Sequence, residues 1–373
     1  MKFLIFCSIA ILYSGGLSAQ VPAYGHPGSL DIATWNLDWF GSSKYGPSDD
    51  QLQSESVGRV LHDSEIDIWC FEEVADTNQM NQILGQYGNY GHVYARYWQD
   101  QKIAWVWKHE EWEYLDDSMI LTNHSVDFAH GRLPLYCVLK SKMNGDTLHL
   151  LGLHLKANTG DEESQRLAWE SRKASINLLN EWVSGHNDSY LILAGDWNDG
   201  LKTSVYHDTL SSLIQLRASG TFLTMSLDSA GLHSWYYGGH VIDHLWTLGP
   251  FLQTYELMEC RILPMDLYFA DYPNTVSDHL PVFCSFNRLT TALINPESAA
   301  IQVYPNPSKG EFYLSGAESI ENIQVFSIQG IDCTKTCRRI GRNHWQTMLS
   351  PGIYQITFQA GEHTLCRRLV LRP

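Results

Sequence analysis

The feature that most constrains this 373-residue chain is a recurrence: between residues 30 and 288, short apolar runs follow one another, and most of them end in a polar residue. The runs cover 30–37, 66–71, 103–107, 136–141, 148–154, 190–195, 241–248 and 282–286. Apolar stretches this short, bounded by turn residues, read as β-strands. Three longer segments, 50–62, 77–87 and 162–184, read as helices. In the last, Leu167, Ala174, Leu178 and Trp182 predict the buried stripe, and Glu163, Arg166, Glu170 and Lys173 predict the wet face. Strands interleaved with a few helices favour an α/β sandwich over a doubly wound parallel sheet. The 13 Trp and 19 Tyr suit broad sheet surfaces and argue against an all-helical chain.

The flanks of this region have a different character. Met1 and Lys2 precede an apolar run, Gly15 and Gly16, and then Leu17-Ser18-Ala19, the pattern of a secretory signal peptide over 1–19. The apolar run is shorter than the ~20 residues that span a bilayer, and no later segment reads as transmembrane. The expected domains are a catalytic unit over 20–288, a polar linker over 289–299 and a small all-β module over 300–373. Strands of that module are expected at 303–307, 311–314, 323–328, 350–358 and 365–371. Loss of the leader removes Cys7. Cys70 and Cys137 lie in apolar strands where a thiol packs, while a disulfide within the tail stays open, with no pair assigned. Residues 299–373 hold eight Lys/Arg against five Asp/Glu, a net of +3, so the chain's −16 leaves −19 for the rest. So acidic a unit does not draw polyanions by its overall field, and phosphate contact has to be local and metal-assisted.

The chemistry is concentrated at the strand ends. Asn36 follows Ala-Thr-Trp; Glu72 and Glu73 end the second strand; His154 ends Leu-Gly-Leu; Asp196 and Asn198 follow Leu-Ile-Leu-Ala-Gly; Asp243 lies in Val-Ile-Asp-His; Asp278 and His279 precede Leu280-Pro281. Side chains two apart on a strand share a face, so Asp196 points with Asn198, and His154 with Lys156. Collected at one edge, they offer oxygens to a hard divalent cation and imidazoles for proton transfer, an inventory suited to attack on a phosphate ester. Other histidines, His62, His109, His124, His130 and His149, show no ligand spacing and read as surface or structural. The loop Trp235-Tyr236-Tyr237-Gly238-Gly239 reads first as hairpin packing, with overhang of the site as the alternative.

These motifs, in this order and together with Arg132 and Pro134, resemble the endonuclease/exonuclease/phosphatase superfamily over residues 31–286. The resemblance implies a four-layer, deoxyribonuclease I-like α/β sandwich. It implies Glu73 as principal ligand of Mg²⁺ or Mn²⁺, with Asn36 and Asp278 beside it. His279 is then the general base, oriented by Asp243; His154 and Asn198 hold phosphate oxygens; Asp196 orients water, protonates the leaving group or holds metal. Arg132 clamps non-bridging oxygens, and Lys156 faces either phosphate or solvent. A structural Ca²⁺ is a further expectation. One departure is Glu72, where the family usually has Gln.

The tail, with Val303-Tyr304-Pro305-Asn306-Pro307, Gly310, Val325-Phe326-Ser327 and Leu349-Ser350-Pro351-Gly352-Ile353-Tyr354, resembles the C-terminal sorting domain of the type IX secretion system. It implies a small β-sandwich and export to the medium or the cell surface. The expected function is a secreted nuclease acting on DNA or RNA as a monomer. The alternatives are a phosphomonoesterase or phospholipid headgroup hydrolase on the same fold, and a non-catalytic binding module. His154 is followed by Leu155-Lys156-Ala157 rather than the Thr-Gln typical of bacterial sphingomyelinases, which lowers the lipid reading.

Overall fold

The computed structural model describes residues 20–186, 190–289, 301–315, 320–327, 331–360 and 363–372. The expected signal peptide, and all of the expected linker except Leu289, lie outside the described residues. Two compact units divide the chain, the first ending at Leu289 and the second beginning at Thr290.

In chain order the first unit holds β1 (Leu30–Phe40), α1 (Asp50–Asp63), β2 (Ile68–Val74), α2 (Thr77–Tyr87), β3 (Tyr90–Tyr94), β4 (Lys102–Lys108), β5 (Trp112–Met119), β6 (Leu135–Ser141) and β7 (Thr147–His154). Then follow α3 (Glu162–Ser184), β8 (Tyr190–Asp196), β9 (Thr221–Phe222), β10 (Asp243–Thr247), β11 (Tyr255–Ile262) and β12 (Val282–Arg288). An aspartate caps each main helix: Asp49 accepts from Leu52 N, Asp76 from Asn78 N and Gln79 N, and Asp161 from Ser164 N.

These strands build two six-stranded sheets, in the orders β11-β12-β1-β2-β4-β3 and β5-β6-β7-β8-β10-β9. Alternation along the strands decides what packs where. Ile32, Ile68, Cys70, Ile192, Ala194 and Leu245 point between the sheets into one core. Their neighbours Ala33, Trp69 and Phe71 pack outward with Val57, Val60 and Ile83 of α1 and α2. On the other side Leu151, Leu191, Leu193 and Trp246 meet Ile176, Leu179 and Val183 of α3. The result is helix, sheet, sheet, helix, the expected four layers.

Two parallel pairs position the site. β1 runs beside β2 with Asn36 opposite Glu72, and β7 runs beside β8 with His154 opposite Asp196. Both pairs therefore end at the same edge. Antiparallel β10 brings its first residue, Asp243, opposite Asp196.

Sequence reading missed β3, β5, β9 and β11, and in the second unit the strands Cys337–Gly341 and His344–Thr347. β5 exposes Glu113 to Asp116 and carries half-buried Asp117, and β11 alternates exposed with half-buried positions, so neither shows an apolar run. In α3 the expected stripe is displaced. Leu167 is half-exposed, and the buried face is Ala168, Arg172, Ser175, Ile176, Leu179 and Val183. Arg172 disguised that face, because it is fully buried and donates to Lys156 O at 2.9 Å.

The second unit is all-β, with β13 (Gln302–Tyr304), β14 (Glu311–Ser315), β15 (Glu321–Ser327), β16 (Cys337–Gly341), β17 (His344–Thr347), β18 (Gly352–Ala360) and β19 (His363–Leu371). They form sheets of four and three strands around Phe312, Leu314, Val325, Trp345, Ile356, Phe358 and Leu369. Among the described residues no helix is long and apolar enough to cross a membrane.

The displaced face of α3 is testable. Ile176→Ala is expected to cost about 2–4 kcal/mol of unfolding free energy, and Leu167→Ala no more than about 0.5 kcal/mol. Urea denaturation of both variants reads this; equal losses would return the stripe to Leu167.

Candidate active site

The edge where both parallel pairs end opens into a cleft of about 440 Å³, whose wall includes Asn36, Glu73, His154, Asp196, Asn198, Asp278 and His279. Seven of the ten residues expected from sequence thus meet in one hollow. Of the other three, Asp243 is fully buried beneath His279. Arg132 is buried behind His154, its Nη1 2.6 Å from His154 Nε2 and its Nη2 donating to Leu155 O at 2.9 Å. Lys156 is half-buried and also outside the wall.

The turn carrying Asp278 and His279 is tied to β1 from several directions. Ser277 Oγ donates to Asn36 O at 2.6 Å and accepts from His279 N at 2.9 Å. Trp35 Nε1 and Tyr272 Oη both donate to His279 O, at 3.0 and 2.7 Å. Buried Gln53 of α1 donates to Leu37 O at 2.8 Å and Val276 O at 3.0 Å, fixing the end of β1 to the start of that turn. The imidazole is thereby held: Nδ1 sits 2.9 Å from Asp243 Oδ2, and Nε2 lies 3.9 Å from Asp278 Oδ1 and 4.0 Å from Asp196 Oδ2.

Across the cleft, Asn36 Nδ2 bridges Glu73 Oε1 at 3.3 Å and Asp196 Oδ2 at 3.1 Å, one carboxylate from each sheet. Asn198 donates to Asp196 through its backbone N–H and its amide, both at 2.9 Å. His154 Nε2 is 3.6 Å from both Glu73 and Asp196. Gly195 is required where β8 closes on β7: at φ +149° a Cβ would lie 2.0 Å from Leu153 O. Asp38, Trp39, Glu73 and Asn198 all have positive φ near 50–60°, so backbone strain collects at this edge, as it does at functional sites.

Burial and crowding set the protonation states. Burial raises Asp38 to about 7, with Asp278 and Glu73 adding repulsion. Burial also pushes Asp196 upward, helped by Asp243, while His279 and the bonds from Asn36 and Asn198 oppose it. His154 is held well below the usual histidine range by burial and then by the charges of Arg132 and His279, so it is a neutral imidazole. For His279 burial lowers the value, but Asp243, with its hydrogen bond, and then Asp196 and Asp278 outweigh it and hold the ring well above the usual range. Asp196, Asp243 and His279 also present donor atoms within 4.8 Å of one another. Within that trio the Asp243–His279 hydrogen bond orients the imidazole beside the Asp196 carboxylate, whereas Glu73, Asp278 and Asp38 line the cleft.

Asp38 and Trp39 of the cleft were missed in the sequence, and Trp235 was read first as hairpin packing with overhang as the alternative. Asp38 stands two residues beyond Asn36, past the expected end of the strand at Leu37, and its φ of +49° takes it off the period-2 rule, so strand alternation carries no signal for it. Trp39 and Trp235 form the lip. Trp235 Nε1 donates to Asp278 Oδ2 at 2.9 Å and Tyr236 N to Asp278 O at 2.7 Å, so the aromatic loop overhangs the site rather than serving only as a hairpin.

The sequence profile described as Endonuclease/Exonuclease/phosphatase family matches residues 33–279, and the profile described as Secretion system C-terminal sorting domain matches residues 302–372. Similar solved structures include D. rerio TDP2 complexed with single strand DNA product (TM-score 0.54, 13% identity, covering 69% of this chain and 99% of that one). Others are a Bacteroides thetaiotaomicron mannosyl-6-phosphatase (TM-score 0.53, 16% identity, 69% and 99%) and the human Nocturnin catalytic domain (TM-score 0.50, 18% identity, 70% and 95%). At these identities they share the fold. No curated protein matches the chain significantly.

Glu72 supplies a pH test of this electrostatic picture. It is fully buried, accepts from Thr34 Oγ1 at 3.0 Å, and is raised well above the ordinary glutamate range by burial and then by Asp243. A carboxyl raised in the folded state contributes stability that is complete below its unfolded value and is lost as pH rises toward the folded one. Glu72→Gln, neutral throughout, is expected to fold, and its melting temperature relative to the parent should climb between pH 5 and pH 8. Melts in matched buffers measure this; a difference independent of pH would show that Glu72 is charged.

Proposed function

The chain belongs to the endonuclease/exonuclease/phosphatase family, and on that premise we propose that it is an exported, divalent-metal-dependent phosphodiesterase acting on nucleic acid. The observation that carries this reading is the Asp243–His279 pair facing an oxygen-rich wall across one cleft. Glu73, Asp278 and Asp38 crowd there with no lysine or arginine on the wall, a donor set that fits a hard cation such as Mg²⁺ or Mn²⁺. When bound, such an ion neutralises developing charge on the phosphate and relieves the carboxylate field around His279.

The residues divide the remaining work. Asp243 fixes the tautomer of His279, leaving Nε2 toward the cleft to take a proton from attacking water, worth about 10²–10⁴ in rate. Neutral His154 and the Asn198 amide hold phosphate oxygens that gain charge in the transition state. Asp196, raised by burial, is placed to orient water or to return a proton to the leaving oxygen. Arg132 acts as a positioning residue behind His154, and Lys156, outside the cleft wall, is left to a longer substrate.

The lip favours unstacked bases. Trp39 and Trp235 line the cleft while Tyr236 and Tyr237 are exposed, offering ring faces to single-stranded or terminal nucleotides. A duplex needs a basic track, and the acidic unit has none in its cleft wall. A second reading, hydrolysis of a small phosphoester, is favoured by the compact cleft and the same acidity. Both chemistries are named among the structural neighbours, a single-strand DNA product on TDP2 and a mannosyl-6-phosphatase. The tail supports export through the type IX pathway.

His279→Ala and Asp243→Asn are expected to lower kcat by about 10²–10⁴ while the melting curves stay cooperative, and EDTA should abolish turnover until Mg²⁺ or Mn²⁺ is restored. The assay compares single-stranded oligonucleotide, plasmid duplex, p-nitrophenyl phosphate and sphingomyelin. Preference for the oligonucleotide supports the leading reading, cleavage of the small ester or lipid alone supports the second, and EDTA-resistant turnover overturns the metal assignment.

A further inference from the structure

Two cysteines outside the cleft lie directly opposite one another on neighbouring strands. Cys260 of edge strand β11 is the register partner of Cys284 on β12, and their sulfur atoms stand 2.8 Å apart, closer than unbonded sulfurs rest in ordinary packing. Residues directly opposite in an antiparallel ladder have Cα atoms about 4.5–5.5 Å apart, inside the roughly 4.4–6.8 Å range that disulfides span. Both are free thiols in the structure, Cys260 partly exposed and Cys284 fully buried. The other cysteines among the described residues of this unit sit differently: Cys70 directs its thiol to Ala194 O, and Cys137 lies within the inter-sheet core.

A chain bearing a secretion sorting domain leaves the reducing cytoplasm. We propose that Cys260 and Cys284 are a disulfide-forming site, closed after export by a disulfide-bearing oxidant of the thiol–disulfide exchange class. The order of events follows from exposure. The Cys260 thiol loses its proton, and the thiolate attacks one sulfur of the oxidant, releasing the other as a thiolate and forming a mixed disulfide. Cys284, deprotonated in turn, attacks the Cys260 sulfur. The intramolecular S–S bond forms, the mixed bond breaks, and the oxidant leaves as a dithiol carrying the two electrons.

The bond matters because of its place. β11 pairs only with β12 in its sheet, so one of its edges is open, and edge strands are where sheets peel. β12 begins three residues after His279, and Leu263 N, just past β11, donates to Pro281 O at 2.8 Å. A bond between Cys260 and Cys284 therefore staples the open edge to the strand whose entry carries the catalytic histidine.

The full chain is purified with reductant, desalted, incubated natively with oxidised glutathione, denatured, capped with N-ethylmaleimide and digested with trypsin. Cleavage after Arg217, Arg261 and Arg288 puts the two thiols on separate peptides, 218–261 and 262–288, each with one cysteine. The expected product is these two peptides joined and two hydrogens lighter, separating on reduction. Maleimide on both peptides after oxidation overturns the proposal, as does glutathione retained on Cys260 with Cys284 still free. In a parallel melt, oxidation should raise the parent's Tm by roughly 5 °C or more and leave Cys260→Ser unchanged; an equal rise in the variant also overturns it.

Discussion

A carboxylate taken out of water has to be paired, protonated or coordinated, and six of them, Asp38, Glu72, Glu73, Asp196, Asp243 and Asp278, converge at one edge of this sandwich. Each is handled differently. Asp243 is paired with His279, and Asp196 is wrapped by the amides of Asn36 and Asn198. Glu72, fully buried, is pushed well above the ordinary glutamate range by burial and then by Asp243. Glu73 is held by two donors, Asn36 Nδ2 and Trp39 N, and Asp278 by Trp235 Nε1, and both carboxylates line the cleft. The surrounding architecture keeps these groups together against their mutual repulsion.

That architecture is the pairing of two sheets, each with a parallel pair at its centre. Parallel neighbours end at the same side, so β1, β2, β7 and β8 deliver Asn36, Glu73, His154 and Asp196 to one edge, and an antiparallel strand beginning there adds Asp243. Three apolar layers hold the register. A one-residue slip in β8 would turn Ile192 and Ala194 outward and Leu191 and Leu193 inward, carrying Asp196 away from His154. Core packing and site geometry are thus one constraint seen from two sides.

Glu72 also shows how composition and environment exchange roles. A glutamine side chain at that depth is neutral by its chemistry; a glutamic acid becomes so by burial beside Asp243. Burial thus favours the uncharged form of Glu72, the form nearest in charge to glutamine.

The amino-acid sequence by itself determined the eight central strands, the three long helices and the polar residues at the strand ends, because each of these is written in local periodicity and in the residue that ends a run; the four-layer plan came from the resemblance those motifs carry. It could not determine which partners those residues meet. The pairing of His154 with Asp196, the burial of Arg132 behind His154, the aromatic lip over Asp278 and the contact of Cys260 with Cys284 link positions 22 to 43 residues apart or lying across strand registers. Edge strands such as β5 and β11 escaped notice because one of their faces is wet, and the buried face of α3 because a fully buried arginine interrupts it. Such features depend on how layers stack and registers lock, and only the tertiary structure fixes those.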